Sequence, residues 1–209
     1  MITSLDQLDL NETYSYADYY QWRLEDFVRV ELIKGKIFKI PSTTTKHQSV
    51  SGQIAGRLYN YFKDTGKAYH AYAAPLDVRF STLKGQPDEM VFTVVQPDLT
   101  VFFDESNLDD AGGIGAPDIA VEILLSGRAQ TELGEKFALY QQYGVKEYWL
   151  VDLSNEAIFV YELNQEGKFV GLPPYALADY MTSKLLPGFS FEVADLFEGN
   201  KSLGLEKIE

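Results

Sequence analysis

Residues 117–152, PDIAVEILLSGRAQTELGEKFALYQQYGVKEYWLVD, change from a strand pattern to a helix pattern and back. The run IAVEILL (119–125) is almost continuously apolar, which is typical of an interior strand. The segment TELGEKFALYQQYG (131–144) predicts a helix that ends near Gly144. EYWLVDL (147–153) predicts the next strand, so this part of the chain indicates an α/β domain. If this apolar strand lies at a sheet edge, we expect a second copy of the chain to cover it.

Two helices and a hairpin are predicted before this stretch. Ser15 and Asp18 form a capping-box pattern that begins a first helix. Lys34-Gly35 predicts a tight turn between the strand-like runs VELI and KIFKI. In residues 45–63 apolar side chains recur every four positions, which marks one face of a second helix.

The whole chain, residues 1–209, reads as one domain of α/β (α+β) class with a central mixed sheet flanked by helices. Residues 1–12 are polar and aperiodic, so we expect a loose N-terminal tail. Residues 105–117 are polar and rich in glycine, which predicts a long connection. Further strand patterns lie in three segments: residues 68–80, 94–103 and 180–197.

The composition limits the chemistry. The chain has 31 acidic and 18 basic residues, a formal charge of −13, two histidines and no cysteine. The absence of cysteine excludes a disulfide framework and thiolate-ligated metals, and two histidines are too few for an imidazole-rich site. Any metal must therefore be held mainly by oxygen. The acid excess argues against a protein that coats nucleic acid through bulk charge.

The start of the chain, MITSLDQLDLNETYS, lacks the charge and hydropathy order of a signal peptide. No segment approaches the roughly 18 uninterrupted apolar residues of a transmembrane helix. We therefore expect a cytoplasmic protein without a membrane partner.

Glu122 is the one carboxylate among the six apolar residues of IAVEILL. Burying an unpaired carboxylate costs on the order of several kcal/mol, so a partner must compensate its charge. A structural ion pair with a lysine or arginine is the alternative to a functional role.

Asp98 and Lys136 are the candidate partners of the Glu122 carboxylate. Asp98 opens the strand PDLTVFF, where a Pro-Asp pair is also ordinary turn chemistry. Lys136 lies in the helix stripe between Leu133 and Tyr140, so it either meets a carboxylate or extends its ammonium into water. Two carboxylates and an ammonium are the groups that Mg²⁺-assisted phosphodiester hydrolysis requires.

The order of these motifs resembles the Uma-type restriction-endonuclease domain of the PD-(D/E)xK nuclease superfamily. The matching stretches are ELIKG, a histidine that opens a helix, QPDLTVF, APDIAVEILLS, KFALYQQYGVKEYWLVD and LLPGFSF. Together they cover roughly residues 15–197. The resemblance implies a restriction-endonuclease-like αβββαβ core.

The resemblance also implies roles for individual residues. Asp98 corresponds to the metal-binding aspartate and Glu122 to the second acidic ligand, joined by the backbone carbonyl of Ile123. The superfamily places a lysine two residues after this acidic ligand, where this chain has a leucine, and Lys136 on the next helix corresponds to it. Glu31 matches a glutamate of the family's first hairpin and is expected near the metal.

His47, which opens the second helix, is expected by the same resemblance to support the site or contact a phosphate. A buried histidine bonded to a backbone carbonyl is the alternative, and His70 is read as structural. Where the family usually has Asp-Gly-Glu in its hairpin, this chain has Lys34-Gly35-Lys36. Leu125-Ser126-Gly127 replaces the usual Ser-Pro-Ser, and Glu132 replaces an aspartate.

We therefore expect an endonuclease that hydrolyses DNA phosphodiester bonds with Mg²⁺ or Mn²⁺. Asp98, Glu122, Lys136 and Glu31 are the expected catalytic residues, and a homodimer is expected from the resemblance. The alternative is a catalytically inactive nuclease-fold module for binding or assembly, which the charge of −13 and the altered hairpin favour. A purely structural domain predicts instead that Glu122 and Lys136 simply pair with each other.

Basic residues of the second helix and the loop after it are a further pattern, but they do not share one helix face and indicate a solvated surface. The 14 tyrosines and 13 phenylalanines are mostly spaced as core residues, and we assign them no base-stacking role. The basic residues concerned are Lys46, Arg57, Lys63 and Lys67.

Overall fold

The computed structural model describes residues 8–9, 11–24, 30–40, 42–81, 85–124 and 129–197. The predicted N-terminal tail and the replaced loop at 125–127 lie largely or wholly outside these residues. Leu8, within the predicted tail, is buried and packs with Tyr16 and Trp22.

The described helices are α1 (Tyr16–Leu24), α2 (Thr45–Thr65), α3 (Ala129–Tyr143) and α4 (Val193–Phe197). The strands in the first half of the chain are β1 (Val30–Ile33), β2 (Lys36–Lys39), β3 (His70–Ala73), β4 (Val78–Arg79), β5 (Val94–Val95), β6 (Leu99–Phe102), β7 (Leu108–Asp109) and β8 (Gly112–Ile114). The strands that follow are β9 (Ile119–Leu124), β10 (Glu147–Asp152), β11 (Ala157–Leu163), β12 (Phe169–Gly171), β13 (Tyr180–Thr182) and β14 (Ser190–Glu192).

These strands form two six-stranded mixed sheets and a small hairpin. One sheet has the order β2-β1-β5-β4-β8-β7, the other has the order β12-β11-β10-β9-β6-β3, and β13 pairs with β14. Strands β9 and β10 are parallel, with Glu122 opposite Leu150, and α3 connects them. The predicted α+β class with mixed sheets flanked by helices is confirmed, although the strands divide between two sheets.

Local signals account for the ends of the first elements. The Ser15 amide and hydroxyl both donate to Oδ2 of Asp18 at 2.8 Å, which confirms the capping box. Lys34 (φ 51°) and Gly35 (φ 78°) form the tight turn between β1 and β2. Helix α2 ends at Gly66, whose φ of 64° is the left-handed conformation of a helix stop.

The glycine-rich connection is more ordered than its composition predicts. It contains the hairpin of β7 and β8, and β8 runs parallel to β4. The Gly113 amide donates to the Asp77 carbonyl at 2.8 Å, and a Cβ at Gly112 would collide with the same carbonyl oxygen. Glycine is needed here because the two backbones approach closely.

The interpretation of EYWLVDL as an exposed edge strand that a second copy would cover is wrong. Strand β10 lies between β9 and β11 in its sheet and is buried along most of its length. Its apolar residues pack in the cores on both faces of the sheet, beneath α2 on one face and α3 on the other. Its composition therefore reflects an interior strand.

Candidate active site

Glu122 projects from β9 toward helix α3. Its side chain is 11% exposed, and its Oε1 lies 2.9 Å from Nζ of Lys136. The Tyr140 hydroxyl donates to the same oxygen at 2.5 Å. Lys136 and Tyr140 are four residues apart and therefore lie on one face of α3. The buried carboxylate thus receives an ammonium and a phenol from a single helix.

Lys136 connects this carboxylate to a residue of the other sheet. Its Nζ lies 2.8 Å from Oε1 of Glu31 on β1, and the Glu31 side chain is only 8% exposed. One ammonium therefore bridges two buried carboxylates. Lys136 thus occupies the core-facing position that the helix stripe predicts, whereas the expected place of Glu31 near a metal stays a prediction. Leu133, part of the same predicted stripe, has a side chain outside the described residues.

Gln96 holds Glu31 from the loop before β6. Its backbone amide donates to Oε1 of Glu31 at 2.8 Å, and its side-chain amide donates to Oδ1 of Asp77 at 2.8 Å. The Tyr19 hydroxyl of α1 donates to the same Asp77 oxygen at 2.9 Å. Sequence reasoning missed Gln96, although it directly precedes the Pro-Asp pair. It also missed Tyr140, whose signal was the four-residue spacing from Lys136.

Asp98 lies at the entrance of β6, beside β9. Its Oδ2 accepts a hydrogen bond from the Ile123 amide at 2.7 Å. The Asp98 carboxylate therefore lies at the end of the β6–β9 pairing, next to Glu122. Its Oδ1 lies 3.1 Å from Nε2 of His47 at the start of α2. His47 is 4% exposed, and its ring contacts this carboxylate rather than the backbone carbonyl of the alternative interpretation. The ring's Nδ1 is buried and has no hydrogen-bond partner among the described residues.

The charges of this cluster are unbalanced. The pKa of Glu122 is raised to about 7, because burial and the charges of Asp98 and Glu31 together outweigh the opposing effects of Lys136 and the Tyr140 hydroxyl. Burial lowers the pKa of Lys136, but the attraction of Glu122 and Glu31 outweighs it, so its pKa lies above the ordinary value. Lys136 therefore remains an ammonium, which faces more carboxylates than it can neutralise.

The donor set suits a hard cation. Among the described residues, no group of three or more histidine, aspartate or glutamate side chains is arranged to hold a metal ion. Mg²⁺, however, commonly uses one or two protein carboxylates and fills its other positions with water and substrate. Asp98 and Glu122 supply two such carboxylates, and the negative charge around Glu122 is what a cation would relieve.

The fold is shared with a protein of known structure. A solved structure described as a "putative nuclease belonging to DUF820", from Anabaena variabilis, superposes with a TM-score of 0.61. The two proteins are 23% identical over 81% of this chain and 89% of that one. No curated protein matches the chain.

The chain belongs to the Uma2 family, whose model, described as "Putative restriction endonuclease", matches residues 16–194. The resemblance drawn from the motifs is thereby confirmed. Family and fold are those of restriction-endonuclease-like nucleases. Within the described ranges, no helix combines the length and the apolar character that crossing a membrane requires.

Proposed function

We propose that the chain is a Mg²⁺- or Mn²⁺-dependent endonuclease that hydrolyses DNA phosphodiester bonds. The observation that carries this proposal is the Lys136 ammonium, which lies 2.8 Å from Glu31 and 2.9 Å from Glu122. An ion pair that served stability alone would need one carboxylate. The second carboxylate, with Asp98 close enough to raise the pKa of Glu122, is an excess of buried negative charge that a structural role does not explain.

Asp98 and Glu122, with the backbone carbonyl of Ile123, would hold the metal. The amide and carbonyl of one residue in an extended strand point to the same edge, and the Ile123 amide already points at Asp98. The known contacts of Glu122 use Oε1, so Oε2 is the oxygen proposed as ligand. When bound, the cation supplies positive charge that stabilises the pentavalent phosphate and the leaving oxygen.

The other residues act around this position. Lys136 would orient the attacking water and pair with a phosphate oxygen, and its raised pKa keeps it charged for that role. Glu31 and Tyr140 would hold the ammonium and the Glu122 carboxylate in place from two different elements. His47 would orient Asp98 through the 3.1 Å contact.

A catalytically inactive binding or assembly module is the second candidate function. A purely structural domain is a third possibility, and it predicts the Glu122–Lys136 pair that is observed. Thermal stability with and without Mg²⁺ separates that possibility from the proposed metal site, because a metal site gains stability in proportion to the logarithm of metal concentration. The homodimer and the cytoplasmic setting remain predictions.

Plasmid nicking with Mg²⁺ or Mn²⁺, after calorimetric titration of the same metals, tests the proposal. Glu122→Gln and Asp98→Asn preserve side-chain shape and should abolish both metal binding and nicking. A matched control is Glu162→Gln, because Glu162 also accepts from a lysine, Lys184 at 3.0 Å, far along β11. Unchanged nicking in both site variants, or no metal binding by the wild type, would contradict the assignment.

A further inference from the structure

A cleft of about 430 Å³ lies between the C-terminal half of α2 and strand β3. It is separate from the residues of the candidate active site. On the helix side its lining includes Tyr59, Phe62 and Lys63. These positions follow the spacing of one helix face, so the three side chains point into the same space.

Aromatic rings provide the surface of the cleft. Tyr59 is 66% exposed, whereas Phe62 is 7% exposed and forms part of the floor. On the strand side, the lining includes Tyr69, which is half-buried, and its ring centre lies 5.5 Å from that of Phe62. Exposed and half-buried rings on two sides of a cleft are a surface on which flat groups can stack.

The cleft is cationic although the chain carries a charge of −13. Its described lining contains Lys63 and Lys67 but no aspartate or glutamate. The Lys67 ammonium lies over the rings of Tyr61 and Tyr69, at 5.6 and 5.3 Å from their centres. One of the two lysines is therefore held against aromatic faces.

The other basic residues of α2 have acidic neighbours. Lys46 lies 3.0 Å from Glu156, and Arg57 lies 3.9 Å from Asp195. The basic residues that sequence reasoning treated as one solvated group thus divide into two sets. One set is paired with carboxylates, and the other, Lys63 and Lys67, borders the cleft.

Strand β3 connects the cleft to the candidate active site. It is the edge strand of its sheet, and the Ala74 amide just after it donates to the Asp98 carbonyl at 3.0 Å. From His70 to Ala74 an extended strand covers about 13 Å. At the 3.4 Å rise of a stacked nucleic-acid strand, about four nucleotides cover the same distance.

We propose that this cleft binds an unpaired stretch of the nucleic-acid substrate beside the cleavage site, by stacking a base on Tyr59 while Lys63 and Lys67 contact phosphates. The choice of ligand rests on the nuclease function proposed above. Single-stranded nucleic acid is favoured because aromatic faces combined with lysines are its usual binding surface, whereas bases in a duplex are not available for stacking.

Fluorescence anisotropy with a labelled oligothymidylate of about twelve nucleotides tests the proposal. EDTA is present so that cleavage does not interfere. Tyr59→Ala should weaken binding about 5- to 100-fold, the usual effect of removing one stacking ring. Tyr180→Ala, which removes a tyrosine that is 61% exposed on β13, is the matched control and should change nothing.

Two further measurements separate stacking from charge. Lys63→Ala should reduce the slope of log affinity against log salt concentration by about 0.7, which corresponds to one phosphate contact on a single strand. The wild type should bind an abasic oligonucleotide of the same length more weakly than it binds oligothymidylate. The wild type and Tyr59→Ala should bind the abasic oligonucleotide equally well. Equal binding of the abasic strand, or of a duplex, by the wild type would overturn the proposal.

The outcomes also distinguish this proposal from the proposed function. Glu122→Gln should lose nicking but keep oligonucleotide binding, because Glu122 does not line the cleft. Binding without nicking in the wild type would contradict the nuclease function and leave the cleft assignment intact. Nicking without oligonucleotide binding would overturn the cleft assignment. It would favour instead the addition of a peptide strand to the edge of β3 that no described strand pairs with.

Discussion

The Nζ atom of Lys136, on helix α3, lies 2.8 Å from Oε1 of Glu31, on strand β1. This contact joins the two six-stranded sheets of the domain, because α3 packs on the sheet of β9 and β10 while β1 belongs to the other. The same ammonium lies 2.9 Å from Glu122. The candidate active site therefore lies where the two sheets meet.

Replacement of Lys136 by methionine should lower the free energy of unfolding by about 3–5 kcal/mol at pH 8, the usual cost of leaving a buried charge without its partner. The loss should be smaller near pH 5.5, where Glu122 takes up a proton because its pKa is raised to about 7. Urea unfolding at the two pH values measures this. Lys184→Met is the control, since that lysine is 73% exposed in its own pair and should cost less than about 1 kcal/mol. Similar losses in the two variants would contradict the assigned burial.

The pH dependence of stability should change in Glu122→Gln. The pKa of Glu122 is about 7 in the folded protein and 4.5 in its ordinary state, so the folded state binds the proton more tightly. Its contribution to stability is therefore fully present below about pH 4.5 and is lost as the pH rises through 7. Relative to Glu122→Gln, the wild type should lose on the order of 2 kcal/mol between pH 5 and 8. Parallel thermal or urea profiles for the two proteins would contradict the raised pKa.

Glu147, at the start of β10, is a buried carboxylate with a structural role. It is 1% exposed and accepts from Trp149 Nε1 at 2.9 Å, the Ser183 hydroxyl at 2.8 Å and the Leu185 amide at 2.9 Å. Glu147→Ala should cost more than about 3 kcal/mol, because it leaves buried donors without an acceptor. Glu162, directly opposite in β11, is the control, and Glu162→Ala should cost less than about 1 kcal/mol. Chemical denaturation distinguishes the two, and nearly equal losses would contradict this role.

Helix α2 carries two glycines in its interior with open space around them. A Cβ at Gly52 or Gly56 would meet no atom within 4 Å. Alanine at either position should therefore stabilise the protein by about 0.5–1 kcal/mol, since it lowers the entropy of the unfolded chain and favours the helix. Gly113→Ala is the contrasting variant, because its Cβ would lie 2.5 Å from the ring of Phe102 and should destabilise the fold. Thermal melting measures both signs, and destabilisation by Gly56→Ala would contradict the open surroundings of that helix face.

Elements with local signals could be predicted from the sequence. The capping box at Ser15 and Asp18, the turn at Lys34-Gly35 and the stop at Gly66 each depend on residues a few positions apart. The buried face of α2, which includes His47, Val50 and Ile54, likewise follows from the helix period. For such elements, backbone conformation and side-chain spacing are local properties.

The division into two sheets could not be predicted in this way. Strands β4 and β5 contain only two residues each, and each has a partner that lies far away in the chain. A strand that short has no recognisable period, so its existence depends on hydrogen bonds to a neighbour that only the fold provides. Strand β10 has six residues and was recognisable as a strand, but only its pairing with β9 and β11 identifies it as an interior strand.

The sequence alone determined that Glu122 stands within an apolar strand, that Lys136 lies in the core-facing stripe of the next helix, and that any metal must be held mainly by oxygen. It could not distinguish Glu122 from Glu147, because each is a carboxylate beside the apolar residues of an interior strand. Tertiary structure decided the difference. Glu147 accepts hydrogen bonds from neutral donors, whereas Glu122 shares one ammonium with a carboxylate of the other sheet. The electrostatic surroundings of a buried charge depend on groups that only folding brings within a few ångströms.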